Sequence, residues 1–300
     1  MLTIFTTPKP FVDDHIRIIQ RNAIRSWLRL TPRPDIILFG DEAGTAEICA
    51  EFSLRHVPVV ERNEFGTPLL NDIFAKAEAF ATTDLLCYSN ADIILMDDFM
   101  ESVSAVKKAK RRFLMGGRPW NLDVTGDLDS SGPWARALAD RVSMEGSLRS
   151  EWACDYFVFP RGLWGNLPPF AVGRAGFDNA LLYRARRNGG ALVDATPATI
   201  AVHQNHTYPG HLGGDNFHTN AEALRNVALA GGSSHLRTWG NATHVVKGGQ
   251  VRLRLNLWGW LNVLPPTRFI SKWRRWVWFP LLTVTRPVRR RLGFGVRKPV

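Results

Sequence analysis

Along the first ninety residues, short unbroken apolar runs alternate with stretches in which apolar residues recur every three or four positions. LTIFT (Leu2 to Thr6) predicts a strand, closed by Pro8 and Pro10. A helix follows, with Asp13 or Asp14 as N-cap and Ile16, Ile19, Ala23, Ile24 and Trp27 on one face, until Pro32 and Pro34 break it. DIILFGDE (35–42) predicts a second strand, Thr45 to Arg55 a helix, and Val57 to Val60 a third strand. NEFGTPLL predicts a loop into a helix over Leu69 to Ala81, and Leu85 to Tyr88 a fourth strand. This rhythm predicts an α/β layer with a mostly parallel sheet flanked by helices. The ILF and LLCY runs fit strands buried on both faces.

Composition changes the picture at the C-terminus. The net charge is +11, yet residues 247–300 hold 13 Lys and Arg and no Asp or Glu. That leaves 25 basic and 27 acidic side chains ahead of them. A near-neutral domain over 1–246 followed by a basic extension over 247–300 is expected, with the boundary near Lys247-Gly248-Gly249. The extension carries five of the 11 tryptophans (Trp258, Trp260, Trp273, Trp276, Trp278). Aromatic and aliphatic residues mixed with Lys and Arg favour the anionic surface of a membrane. Docking on the core and nucleic-acid binding are the other readings; without a nucleic-acid module, the last is disfavoured. Three scattered cysteines and no CxxC pair argue against a disulfide scaffold. No run approaches the ~20 apolar residues of a membrane span, and the N-terminus lacks the pattern of a signal peptide. A cytoplasmic protein, peripheral on the inner face of a membrane, is the resulting expectation.

Ligands of open α/β sheets bind beyond the carboxyl ends of the strands, where this sequence places polar residues: Thr6 and Thr7, then Asp41 and Glu42, then Asn90 and Asp92. In SNADIIL, Asn90 and Asp92 stand two apart, so an extended backbone turns both to one side. Together they offer oxygens to one hard cation. A polar Asx-type turn closing the strand is the plainer alternative.

In that order and spacing, residues 1 to about 210 resemble the nucleotide-sugar-dependent glycosyltransferases of the GT-A fold, of the family 2 type. LTIFTT is similar to the strand on the nucleoside side, which implies donor contacts at Thr6 and Thr7. DIILFGDE is similar to the strand whose terminal acid, here Asp41, meets the nucleotide. NEFGTPLLNDIFAKA resembles the Asn-Gly-rich loop and its helix, which implies a donor contact at Asn63. SNADIIL takes the place of the DxD motif, which in the family binds a divalent cation, manganese or magnesium, and the donor diphosphate. Asn90 stands where the first Asp is usual, so the site has one negative charge fewer and weaker metal binding is expected. The resemblance implies a UDP- or GDP-linked sugar donor and a glycan or lipid-linked acceptor.

The second half then supplies the chemistry. An alcohol is a poor nucleophile near neutral pH, and a positioned carboxylate takes its proton as it attacks the anomeric carbon. In GRAGFDNALLYRARR, Asp178 follows a glycine-aromatic pair and is similar to the base of inverting enzymes; as a plain alternative it is the N-cap of the next helix. WACDYFVF predicts a strand with Asp155 at its start, facing donor or acceptor, or else an edge strand. Arg118, Arg174 and Arg184 are candidates to neutralise the leaving diphosphate. VHQNHTYPGH holds His203, His206 and His211. The resemblance implies a third metal ligand or diphosphate contact after the last core strand, ALVDATPATIAVH, with His203 first and His206 second; ordinary loop histidines are the alternative. Zinc is disfavoured, since no HExxH helix or nearby cysteine is present. GRPWNLDV (116–123) reads as a donor-side loop or an ordinary strand and turn. Two rival functions stay open: a nucleotidyltransferase, which usually needs a glycine in a loop such as TTPKPF, and a non-catalytic binding module anchored by its tail.

Overall fold

The computed structural model describes residues 1–128, 133–207 and 216–254. In chain order the elements are β1 (Leu2–Thr6), α1 (Asp14–Leu28), β2 (Asp35–Phe39), α2 (Thr45–Phe52), β3 (Arg55–Val57), α3 (Leu70–Phe80), β4 (Leu85–Ser89) and β5 (Ile93–Ile94). Then come α4 (Asp97–Ala109), β6 (Phe113–Gly116), β7 (Trp120–Leu122), α5 (Trp134–Glu145), β8 (Ser147–Leu148), β9 (Tyr156–Pro160) and α6 (Phe177–Arg187). The last are β10 (Ala191–Asp194), β11 (Val202–Gln204), α7 (Asn216–Thr219), α8 (Ala221–Ala230), β12 (His244–Lys247) and β13 (Gln250–Leu253). Asp13 is the N-cap of α1, its carboxylate accepting the Ile16 N–H at 2.8 Å. The third strand starts at Arg55, two residues ahead of the expected Val57, because α2 stops at Phe52 and Ser53 turns through a left-handed conformation.

A nine-stranded sheet runs in the order β13-β12-β10-β6-β9-β4-β1-β2-β3. It is parallel except at β9, which runs against β4 and β6, and at β13, which forms a hairpin with β12. The ILF and LLCY runs are buried on both faces, as is β1: Leu2 and Ile4, Ile36 and Leu38, Leu85 and Cys87 pack on one face with Trp27 of α1. Phe5, Ile37 and Phe39, Leu86 and Tyr88 pack on the other with Phe74 of α3. There Phe74 stacks on Phe159 with ring centroids 5.4 Å apart.

Three expectations change. Residues 155–160 do not form an edge strand: β9 is central, between β4 and β6. ALVDATPATIAVH is two strands, not one. β10 belongs to the large sheet, while β11 lies in a second sheet of order β5-β11-β7-β8. The turn at Ala195–Ala198 separates them, closed by the Ala198 N–H on the Ala195 carbonyl at 2.9 Å. The hairpin turn at Gly248 and Gly249 falls at the expected boundary, yet β13 continues the sheet beyond it. Trp258 and all that follows, on which the membrane expectation rests, lie outside the described residues, as does His211. Among the described residues no helix is long and apolar enough to cross a membrane, and the three cysteines are free and buried.

Candidate active site and metal centre

The reversal of β9 explains how the site assembles. Its first residue, Tyr156, pairs with Ser89, the last of β4. Asp155, just before β9, therefore reaches the carboxyl edge of the parallel strands, beside Asn90. The Asn90 N–H donates to the Asp155 carbonyl at 2.8 Å. A helix that feeds a parallel strand runs back along the sheet, so α6, which precedes β10, begins at the same edge with Asp178 in its first turn. In the second sheet β11 runs antiparallel to β5, with His203 opposite Ile93. Asp92, one residue before β5, comes to lie beside β11 and the turn after it.

Asp92, His203 and His206 converge. One ligand atom from each lies within 4.8 Å of the others. Asp92 Oδ2 is 3.0 Å from His206 Nε2 and 3.8 Å from His203 Nε2. Burial alone would raise the Asp92 carboxyl. The hydrogen bond to His206 and the charges of His203, His206 and Lys9 outweigh it and hold the pKa down at about 2. Burial pushes His203 down, which favours the neutral imidazole that a metal ligand must be. Asp92 Oδ1 and His203 Nδ1 are buried with no hydrogen-bond partner among the described residues. Buried polar atoms are normally paired, so a group with one carboxylate and two imidazoles, two of its polar atoms unsatisfied, fits a divalent cation.

The second focus is a pair of carboxylates. Arg149 Nη1 donates to both Asp155 oxygens at 3.1 Å, and Asn90 Nδ2 donates to Asp155 Oδ1 at 3.0 Å. Asp155 is thus engaged by a cation and an amide. Asp178 is different: burial pushes its pKa up to about 7, and the negative charge of Asp155 adds to that. The N–H of Asn179, at the start of α6, donates to Asp178 Oδ1 at 2.8 Å and works in the opposite direction. The charges of Asp155 and Arg149 reach Asp178 on one side and His203 on the other. The carboxylate pair and the metal group therefore belong to one electrostatic site.

Asn90 now has a physical explanation. Its amide donates to a carboxylate, so an acid there would set two anions in contact. Asn90→Asp is expected to lower Tm near neutral pH by roughly 3–8 °C, from a lost donor and a like-charge contact of about 1–3 kcal/mol. Thermal denaturation near neutral pH checks this; an equal Tm for variant and wild type would contradict it.

The other expected residues take the following places. Thr6 ends β1 with its hydroxyl buried, and Thr7 follows it at the same edge. Asp41 pairs with Arg62 at 2.6 Å, as Glu42 does at 2.9 Å. Asn63 and Arg174 are joined to Glu222 of α8, at 2.7 and 2.6 Å, and Arg174 also reaches Thr67 at 3.1 Å. They tie two loops to a helix. Arg118 donates through Nε to the Arg149 carbonyl at 2.6 Å, and so steadies the arginine on Asp155. Arg184 donates to the Asn166 carbonyl. Asp178 is not the N-cap of α6; Gly176 holds that position in a left-handed conformation, φ 97°. In 116–123, Trp120 to Leu122 form β7 beside β11, and Asp123 accepts from Asn205 at 2.7 Å.

Two cations that sequence reasoning did not place at the site stand there. Arg149 sits six residues before Asp155 in no motif. Lys9 Nζ lies 3.3 Å from His206 Nε2. Its loop is fixed by the buried Gln20, whose side chain accepts the Lys9 N–H at 2.6 Å and donates to the Lys9 carbonyl at 2.9 Å. The signal was Lys9 itself, a cation between two prolines at the end of the first strand.

No family model and no curated protein matches the sequence. Solved structures do. The crystal structure of GalNAc-T7 with UDP, GalNAc and Mn2+ superposes with a TM-score of 0.52 at 16% identity, covering 77% of this chain. The chain spans about half of GalNAc-T7, 48% of it. Glucosyl-3-phosphoglycerate synthase from Mycobacterium tuberculosis, with Mn2+, UDP and phosphoglyceric acid, gives 0.43 at 16% identity, over 76% of each chain. Mannosyltransferase PcManGT from Pyrobaculum calidifontis, with GDP-Man and Mn2+, gives 0.41 at 14% identity, over 72% of this chain and 58% of that one. The GalNAc-T7 likeness shows the fold: the chain has the GT-A architecture that the sequence resemblance implied.

Proposed function

We propose that this chain is a glycosyltransferase that moves a sugar from a nucleoside diphosphate donor to an acceptor hydroxyl, with inversion at the anomeric carbon. One observation carries the reading: Asp178, a carboxyl poised near pKa 7, shares the carboxyl edge of the sheet with Asp92, His203 and His206. A general base works best when its pKa lies near the operating pH. Asp178 accepts the proton of the acceptor hydroxyl as its oxygen forms the new bond to the anomeric carbon, and the bond to the diphosphate oxygen breaks. Asp155 does not take that proton. Fixed by Arg149 and Asn90, it raises the pKa of Asp178 through its charge and so strengthens the base.

Asp92, His203 and His206 would hold the divalent cation. When bound, such an ion supplies Lewis-acid neutralisation of the diphosphate. Two nitrogens among three donors suit manganese better than magnesium, which keeps to oxygen. Lys9 adds positive charge beside the group and is placed to meet the leaving phosphates. Similar proteins crystallised with UDP or GDP-Man and Mn2+ support a nucleotide-sugar donor. The basic, tryptophan-rich residues from 247 onward support work on a membrane-attached glycan or lipid acceptor. Incubating the full chain with UDP- and GDP-linked sugars and Mn2+, and measuring released nucleoside diphosphate, tests the reading.

A further inference from the structure

Gln204 lies between the two histidines of the metal group, and its side chain faces the interior with no exposure at all. Nε2 donates to the Asp92 carbonyl at 3.0 Å and to the Ile19 carbonyl of α1 at 2.7 Å. Oε1 accepts from Asn22 Nδ2 at 3.1 Å. The backbone N–H of Gln204 also reaches the Asp92 carbonyl, at 3.3 Å. Asn22 is buried as completely. It donates to the Gly126 carbonyl at 2.9 Å and accepts the Leu128 N–H at 2.6 Å.

This network has one orientation. Turning the Gln204 amide over would set Oε1 against two carbonyl oxygens, those of Asp92 and Ile19. Turning the Asn22 amide over would set its oxygen against Gly126 O and Gln204 Oε1. Each buried amide therefore fixes the other. Satisfied buried networks specify one geometry, because every alternative leaves a polar group unpaired in a low dielectric.

The place of the network gives it meaning beyond stability. The carbonyl that Gln204 holds belongs to Asp92, and the strand it sits on carries His203, with His206 two residues past it. Asp92 lies in the short turn between β4 and β5, outside both strands. We propose that Gln204, oriented by Asn22, is the positioning residue that sets Asp92 against His203 and His206, so the group is spaced for a cation before one arrives. This rests on the metal reading above. Ligands must be held to within about 0.5 Å for a site to work, and outer-shell partners typically contribute 10–100-fold in metal affinity.

The test is Mn2+ alone, titrated into the full chain and followed by electron paramagnetic resonance of the free ion, with Tm measured in parallel without metal. Gln204→Met keeps the volume and removes the three side-chain hydrogen bonds, leaving the backbone N–H on the Asp92 carbonyl. It is expected to weaken Mn2+ about 10–100-fold while the protein remains folded below its Tm. Asn22→Ala leaves Gln204 its two donors and removes its orienting partner, along with the Asn22 bonds to Gly126 and Leu128. It is expected to weaken Mn2+ by less, about 3–10-fold, and it carries the test if Gln204→Met does not fold. A merely structural role would lower Tm and leave affinity unchanged. Mn2+ affinity within twofold of wild type in the folded variants would overturn the positioning role while leaving the metal group standing. Failure of the wild-type chain to bind Mn2+ would overturn both.

Discussion

Asp178→Asn is expected to lower glycosyl transfer by about 10²–10⁴-fold, the usual contribution of a general base, while stabilising the fold at pH 8. Both effects have one cause. The folded protein raises the pKa of Asp178 from 3.8 to about 7, chiefly by burial and further by Asp155. The native state therefore keeps a proton that the unfolded chain has released. Stability falls as pH rises from about 4 to about 7 and stays lower above that. Asparagine has no charge to bury. The variant's Tm should exceed wild type by roughly 2–6 °C at pH 8, with the gap closing toward pH 4. Activity runs the other way: wild-type kcat/KM should climb with pH and level off above about 7, where Asp178 is ionised. Asp155→Asn should move that limb to lower pH, because a charge that raises the Asp178 pKa is gone. Stability curves and pH–rate profiles of the three proteins check this. An Asp178→Asn protein with near-wild-type turnover would remove Asp178 as base.

Asp92→Asn should cost about 10³-fold in turnover and weaken Mn2+ binding in the same variant. The cation supplies several kcal/mol of charge stabilisation, and each 1.36 kcal/mol is a factor of ten in rate. The stability sign is opposite to that of Asp178. The Asp92 pKa is depressed from 3.8 to about 2 because the His206 hydrogen bond and nearby positive charge outweigh burial. Its stabilising contribution is present above about pH 4 and is lost as pH falls through 2. Asp92→Asn should therefore lower Tm at neutral pH, and the difference should vanish in strong acid. One carboxyl pushed up and another pushed down within one site is the pattern by which acid–base and electrostatic roles separate. A variant that keeps wild-type Mn2+ affinity would show that the ion is held elsewhere.

Much of the fold was legible because burial on both faces leaves a strong trace. ILF and LLCY could only be strands between two helical layers, and Asp13 stood where a cap must stand. Asp92, His203 and His206 were legible as donors, and the structure brings them together. What the sequence hid depends on partners distant in the chain. β9 reads like any apolar run; nothing local says that it inserts antiparallel between β4 and β6, yet that reversal brings Asp155 to the site. β11 needs β5 and β7 to be a strand, so its three residues merged with β10 in the sequence reading. Asn63 and Arg174 fit a donor-binding pattern in sequence, and the shared partner Glu222 on α8 was not visible there. Asn90 read as a weak metal ligand, and nothing local in the sequence says that its amide also donates to Asp155, 65 residues on. Lys9, Arg149 and Gln204 belong to no motif; only the packing of α1, β9 and β11 gives them a role.

The central claim is that one carboxylate base and one Asp–His–His group together move a sugar from a nucleotide. It is tested most directly by release of nucleoside diphosphate from a panel of UDP- and GDP-linked sugars, with and without Mn2+, in the wild-type chain, Asp178→Asn and Asp92→Asn. The predicted result is release from at least one donor, stimulated by Mn2+ and lost in both variants. Absence of release from every donor, with pyrophosphate released from a nucleoside triphosphate instead, would contradict it and favour nucleotidyl transfer.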